Sequence, residues 1–276
     1  MKPKKTVYYF DALADDFAGT KIKRRPLPER FVYAHKDIFS RFFSWLLYWV
    51  IAVPILYFPV KWIYGIRVSG KQNVRHLRRK GAFFYTNHTQ VIDAMLIQLY
   101  VARPKRTYIV ANQDATSIKG IRYLIQLLGC VPVPETPSEH ADFVECLRYR
   151  NKQRRNVSIF PEAHIWPYYT HIRPFSDGSF IYPAEFNAPV VPVVVTYRKR
   201  RVFRFGAPGM HVHIGKAVYP DMSLSLPERK KKLRDYVYYF MRDMSAECEN
   251  VEWVRYVKAS SPEEAKSRNE GTFEGE

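Results

Sequence analysis

Cysteine is scarce. The 276 residues hold three, Cys130, Cys146 and Cys248, widely spaced and with no C-x-x-C pair or histidine at ligand spacing. That excludes a disulfide-stapled secreted scaffold and a structural zinc, and it implies reduced core thiols in a cytosolic redox environment. Acidic residues are also in deficit: 26 stand against 44 Lys and Arg, for a formal charge of +18. A surplus of that size needs a polyanionic neighbour, either nucleic acid or an anionic membrane face. Neither zinc-finger spacing nor an RNP-type sequence is present, so no nucleic-acid module is visible. Internal repeats and a Gly-rich phosphate loop are absent as well. The polar start, Met1 to Arg30, has no apolar h-region, unlike a signal peptide.

The most informative absence is local. From Phe42 to Val60, nineteen residues carry no charge, and Arg41 and Lys61 bracket them. As a helix this run would reach about 28 Å, nearly a bilayer's hydrocarbon thickness. Pro54 and Pro59 lie inside it, and each removes a backbone donor. Trp45, Tyr48, Trp49, Tyr57 and Trp62 are spread along the segment rather than gathered at two ends. That distribution suits a kinked or two-part helix lying in the membrane interface; a straight span and a buried core helix are the alternatives. Basic clusters follow at Lys71–Lys80, at Lys152, Arg154 and Arg155, at Arg198–Arg201 and at Arg229–Lys232. Anionic headgroups attract such clusters by about 1 kcal/mol per residue. The expected partner is therefore membrane lipid, at the cytoplasmic face, and not nucleic acid.

What is present can be divided along the chain. Residues 1–30 read as a basic, poorly ordered leader and 31–64 as membrane-associated helix. A catalytic-type domain covers 65–250, and a polar tail, 251–276, is expected to be disordered. Apolar runs predict strands at Ala82–Thr86, Tyr108–Ala111, Val157–Phe160, Val190–Tyr197, Val202–Phe205 and His211–Ile214. Helical spacing predicts Val91–Val101, Ile118–Leu128 and Ser138–Arg150 between them. This alternation implies an α/β fold, a mainly parallel sheet covered by helices on both faces. Val190–Val195 is apolar throughout, as in a strand buried on both sides, and Pro192 must sit near its start or on an edge. Ser225, Pro227 and Glu228 form a helix-start signature for a helix reaching about Glu247.

Two turns carry candidate chemistry. His88 falls between a strand and a helix, with Asp93 five residues on. A carboxylate beside an imidazole fixes its tautomer and stabilises its protonated form, the usual construction of a general base. Phe160-Pro161-Glu162 follows another strand, and its proline turns the chain at the sheet's carboxyl edge. Ligands collect in that crevice in open parallel sheets. His164 beyond it reads as a ring packed with Trp166, Tyr168 and Tyr169, or as a second titrating group.

Taken together and in this order, these pieces resemble the glycerophospholipid acyltransferase family, which includes lysophosphatidate acyltransferases. The resemblance spans about Gly65 to Pro220. It rests on the N-H-x-x-x-x-D block (Asn87 to Asp93), Phe160-Pro161-Glu162, Gly178-Ser179-Phe180 and Ala188–Val193, preceded by an apolar helical segment. It implies acyl transfer from a thioester of CoA or acyl-carrier protein to a lysophospholipid hydroxyl. His88 would be the general base, Asp93 its orienting partner and Glu162 a binder of the acceptor headgroup. No metal or organic cofactor is implied, because the thioester is already activated.

The departures from the family are specific. Its third block usually continues with glycine, a hydroxyl residue and arginine, where Ala163, His164 and Ile165 stand here. Its second block usually ends in arginine, where Gly129–Pro134 ends in proline. Those arginines bind the acceptor's phosphate in the family, and neither proline nor isoleucine can. Either Lys119, Arg122 or Arg173 substitutes for them, or the acceptor is not a phosphomonoester but an amino lipid, a glycolipid or another lysophospholipid. A non-catalytic lipid-binding homologue is the remaining alternative, against which intact His88, Asp93 and Glu162 argue. Acceptor identity, acyl chain length and oligomeric state are not encoded in any motif.

Overall fold

The computed structural model describes residues 3–19, 25–28, 31–117, 120–200 and 206–273. The chain begins with β1 (Lys5–Tyr9), followed by α1 (Ile38–Trp45), a stretch of wide π-type turns (Leu46–Ala52) and α2 (Val53–Ile63). Then come β2 (Arg67–Ser69), β3 (Phe83–Thr86), α3 (Asp93–Leu96), β4 (Thr107–Ala111), α4 (Arg122–Leu128) and β5 (Cys130–Pro132). The second half holds α5 (Pro137–Lys152), β6 (Asn156–Ile159), α6 (Ile181–Phe186), β7 (Val190–Arg198) and β8 (Gly209–Ile214). It closes with α7 (Leu226–Glu247), β9 (Val254–Lys258) and α8 (Pro262–Phe273).

Seven strands form one sheet in the order β2-β8-β7-β3-β6-β4-β5. Every neighbouring pair is parallel except β7–β8. The alternation of the central strands sorts their side chains into two cores. Phe84, Val191, Val193 and Val195 face Tyr48, Val53, Leu96 and Ile97. Phe83, Tyr85, Val157 and Val194 face Phe143 and Leu147 of α5 and Leu233, Val237 and Met241 of α7. Helices thus cover both faces, as the apolar run Val190–Val195 of β7 requires. Pro192 is the third residue of this central strand, and the β8 ladder starts one residue later, at Val193. Its missing donor therefore falls outside that ladder, near the strand start.

The uncharged run is one helix from Ile38 to Ile63, long and apolar enough to cross a membrane. The π-type turns end immediately before Pro54, where a missing N–H would otherwise interrupt a regular ladder. Ser44, Tyr48, Val53 and Val60 are buried against the domain, whereas Phe39, Phe43, Ile55, Phe58 and Trp62 are each more than half exposed. The segment is therefore not a core helix: one face is packed on protein and an apolar face is left open.

The termini depart from expectation. Where a poorly ordered leader and a disordered tail were expected, β1 and β9 pair in parallel from Lys5↔Val254 to Tyr9↔Lys258. On α8, Asn269 accepts from Tyr8 N–H at 2.9 Å and donates to Tyr8 O at 2.8 Å. These polar segments gain their order from each other, a pairing across the whole chain that local composition does not report. The edge strands β2 and β5, of three residues each, and the short α6 were also not foreseen. Expected strand Val202–Phe205 and the first two residues of expected helix Ile118–Leu128 lie outside the described residues. Capping at Ser225 is as expected: Glu228 accepts from its N–H at 3.0 Å and from its hydroxyl at 2.6 Å.

In β8, His213 is buried with its Nε2 3.0 Å from Thr196 Oγ1 and its ring 3.9 Å from that of His211. Burial, and the neighbouring His211, lower its pKa from 6.5 to about 4. The unfolded chain protonates this ring below pH 6.5 while the fold refuses the proton until about pH 4, so stability falls as pH drops through that window. Melting temperature measured between those limits should decline in the wild type. In His213→Gln the decline should be shallower, and an identical slope would rule His213 out as its source.

Candidate active site

His88 is presented by the turn after β3, and that turn is fixed from three sides. Asn87 accepts from Val195 N–H at 2.8 Å and donates to Val195 O at 3.0 Å, clamping the end of β3 to β7. Asp93, in the first turn of α3, accepts through Oδ2 from the N–H groups of Thr89 at 2.6 Å and Gln90 at 2.7 Å. Thr89 Oγ1 accepts from the buried Tyr197 hydroxyl at 2.8 Å. The five-residue spacing is therefore a local necessity: the carboxylate that caps the turn also meets the ring that the turn projects. His88 Nδ1 lies 3.5 Å from Asp93 Oδ2, and the imidazole stacks on Phe160 with ring centres 3.9 Å apart. The helix expected from Val91 begins at Asp93 because the preceding residues form this turn.

Glu162 does not face the crevice. It is 5% exposed, and its two oxygens accept from His88 N–H at 3.1 Å and Arg173 N–H at 2.9 Å. The Arg173 guanidinium, 1% exposed, approaches Glu162 Oε2 at 3.5 Å, donates to Ala12 O and His164 O, and lies over the Trp166 ring. Burial raises the Glu162 pKa, and the Arg173 charge and the two amides oppose that rise. The expected headgroup contacts of Glu162 and Arg173 are thus replaced by an internal ion pair, because a buried guanidinium requires a counter-charge. Ala163, where the family has glycine, takes φ +64° at this turn. His164 is not packed among the aromatic rings; its Nδ1 lies 3.7 Å from Asp16.

Beside His88 a cavity of about 710 Å³ opens at the carboxyl ends of β3, β4, β5 and β6. Val91, Val133, Pro134, Ile159, Phe160 and Tyr182 give it a largely apolar wall, with Asp16, Asp114 and His140 as its other charged or titratable groups. Among the described residues no lysine or arginine lines it. Arg122 is turned away, donating to Thr116 O at 2.8 Å and Pro26 O at 3.4 Å. Lys119 lies outside the described residues. Of the six expected site residues, the structure brings together His88, Asp93, Glu162 and Arg173, but only His88 reaches the cavity. Asp16 and Ala18 reach it from the N-terminal segment, and nothing in that segment's composition signalled their arrival.

Arg173→Met or Glu162→Gln alone leaves one buried charge unpaired and should cost about 3–5 kcal/mol in chemical denaturation. The double variant should cost clearly less than the sum; additive losses would mean the two groups do not act as a pair. Ala163→Gly removes the strain of a side chain at positive φ and should add about 1 kcal/mol in the same experiment. A loss of stability would show that the turn is not strained there.

Comparison with known proteins agrees with this geometry. Residues 65–196 match the family model described as Acyltransferase. No curated protein sequence matches the chain. Among solved structures, the fold resembles the 1-acyl-sn-glycerophosphate (LPA) acyltransferase PlsC from Thermotoga maritima, with a TM-score of 0.56 at 18% identity over 77% of this chain and 89% of that one. The matched segment contains both the His88 turn and the Glu162 turn, and together with the shared fold it agrees with the resemblance to the glycerophospholipid acyltransferase family.

Proposed function

We propose that the protein moves a fatty acyl group from an acyl thioester to the hydroxyl of a lysophospholipid-like amphiphile at a membrane, with His88 as general base. The observation that carries this reading is the His88–Asp93 pair at the mouth of a largely apolar cavity. With Nδ1 directed at Asp93, Nε2 is left for the acceptor hydroxyl. As that oxygen attacks the thioester carbonyl carbon, its proton passes to Nε2. Collapse of the tetrahedral intermediate breaks the carbon–sulfur bond, and the departing thiolate takes the proton from the imidazolium. Asp93 stabilises the transient charge, and Glu162, through the His88 N–H, is a positioning residue. The cavity's apolar wall suits an acyl chain, and the open face of the Ile38–Ile63 helix suits a membrane surface from which amphiphilic substrates are drawn.

A specific observation favours an acceptor without a terminal phosphate. The position of the family's second-block arginine is occupied by Pro134, which lines the cavity, and the acidic Asp16 and Asp114 line it too. Among the described residues a phosphomonoester there would meet the Asp16 carboxylate and no arginine fork, whereas an amino lipid or neutral headgroup would not be repelled.

The test is acyl transfer by the detergent-solubilised protein, offering labelled acyl-CoA and acyl-carrier protein with lysolipids that carry or lack a terminal phosphate. His88→Ala should lower kcat by about 10²–10⁴ with the fold intact. Transfer should be fastest to acceptors without a phosphomonoester. Transfer to lysophosphatidate alone would overturn the acceptor reading, and undiminished turnover in His88→Ala would overturn the mechanism.

A further inference from the structure

A second cavity, of about 750 Å³, lies at the other end of the sheet from His88. Arg106 and Arg155 stand just before β4 and β6, whereas His88 follows β3, and these three strands are parallel. Four arginines, Arg41, Arg106, Arg150 and Arg155, line this cavity together with Phe42, Trp45 and Trp49 of the apolar helix. Among the described residues no aspartate or glutamate lines it. Among the described residues no carboxylate pairs with any of the four arginines.

Two of these cations are buried in spite of that. Arg106 is 7% exposed, held by Ser44 Oγ at 2.6 Å and by Leu127 O, with its guanidinium over the Tyr48 and Tyr108 rings. Arg150 is 9% exposed, its guanidinium 4.2 Å from the centre of the Tyr108 ring. The Nε atoms of both are buried and without a hydrogen-bond partner. Burial, with the charges of Arg150 and Arg155, lowers the Arg106 pKa. Ring faces offset part of the cost of gathering like charges out of water, but unused N–H donors remain. An oxyanion would satisfy the donors and the charge at once, and guanidinium forks match phosphate geometry.

We propose that this cavity binds the phosphate of an anionic phospholipid headgroup, its acyl chains running along Phe42, Trp45 and Trp49. The lipid would then be a docking ligand rather than a substrate, holding the apolar helix on an anionic membrane. The binding is independent of acyl transfer, so it stands or falls apart from the reading of His88.

The experiment is sedimentation of the full chain with vesicles of phosphatidylcholine, alone or mixed with phosphatidylglycerol. Arg41→Gln/Arg155→Gln changes two exposed rim residues, which leaves the buried packing intact. This variant should lose about fivefold in partitioning per arginine, roughly 25-fold in all, on the anionic vesicles only. Lys216→Gln/Lys231→Gln removes the same charge from exposed positions beside and on α7, on the sheet's opposite face, and should partition like the wild type. His88→Ala should bind as the wild type does. Equal losses in the two double variants would overturn the site in favour of diffuse charge. Inorganic phosphate, followed by tryptophan fluorescence, is the second probe. Saturable phosphate binding that vanishes in Arg41→Gln/Arg155→Gln while vesicle binding is unchanged would assign a free anion and overturn the lipid.

Discussion

The Glu162 carboxylate is the point through which the site and both chain termini are connected. One of its oxygens fixes the backbone of His88 and the other the backbone of Arg173, two residues 85 positions apart. The Arg173 side chain then reaches Ala12 and His164 and covers Trp166. Trp166 is fully buried among Tyr9, Phe17, Tyr169 and Tyr256, and its indole N–H donates to Asp15 O at 2.8 Å. An ion pair buried this completely contributes little net stability compared with an apolar replacement, but removal of either partner is costly. Its consequence here is geometric. The turn that presents the histidine, the turn that follows β6 and the N-terminal segment are held in one arrangement because this carboxylate and this guanidinium bond to all three.

That arrangement explains which parts of the site were legible in the sequence. His88 and Asp93 act through a turn whose hydrogen bonds span four residues, so spacing alone carried the signal. The β3, β4, β6, β7 and β8 strands were legible because strands buried on both faces are built mainly from apolar residues, as in the unbroken run Val190–Val195, a pattern that survives without knowledge of partners. Glu162 was legible as a residue at the sheet edge, but its direction was not. Whether a carboxylate at such a turn faces a ligand or the interior depends on where a cation lies, and Arg173 arrives from eleven residues downstream. The β1–β9 pair was illegible for a related reason: two short polar segments, 249 residues apart in register, carry no local mark of their pairing.

The apolar helix shows the converse limit. Its composition correctly set it apart, and its prolines marked an irregularity, which the structure places as wide turns just before Pro54. Composition could not divide its faces, since Tyr48 and Phe58 are equally acceptable in a membrane or a core. Packing divides them: Tyr48 is 2% exposed, over the Arg106 guanidinium, and Phe58 is 65% exposed. The helix is thus at once a wall of the domain and an apolar outer surface, as the proposed work on amphiphiles at an interface would require.

Charge is distributed unevenly over this frame, and the unevenness has a chemical logic. Among the described residues, the cavity beside His88 at the carboxyl ends of the strands carries two acidic side chains and no lysine or arginine, and at the opposite ends four arginines share a cavity with no aspartate or glutamate. A general base works best where its protonated form is stabilised by a nearby carboxylate and not opposed by neighbouring cations, as beside Asp93. Surface cations that attract anionic headgroups would oppose it if they crowded the same crevice. Placing them at the other end of the sheet, along the same apolar helix, would let the proposed attraction to a membrane and the proposed proton transfer proceed in one small domain without either field weakening the other.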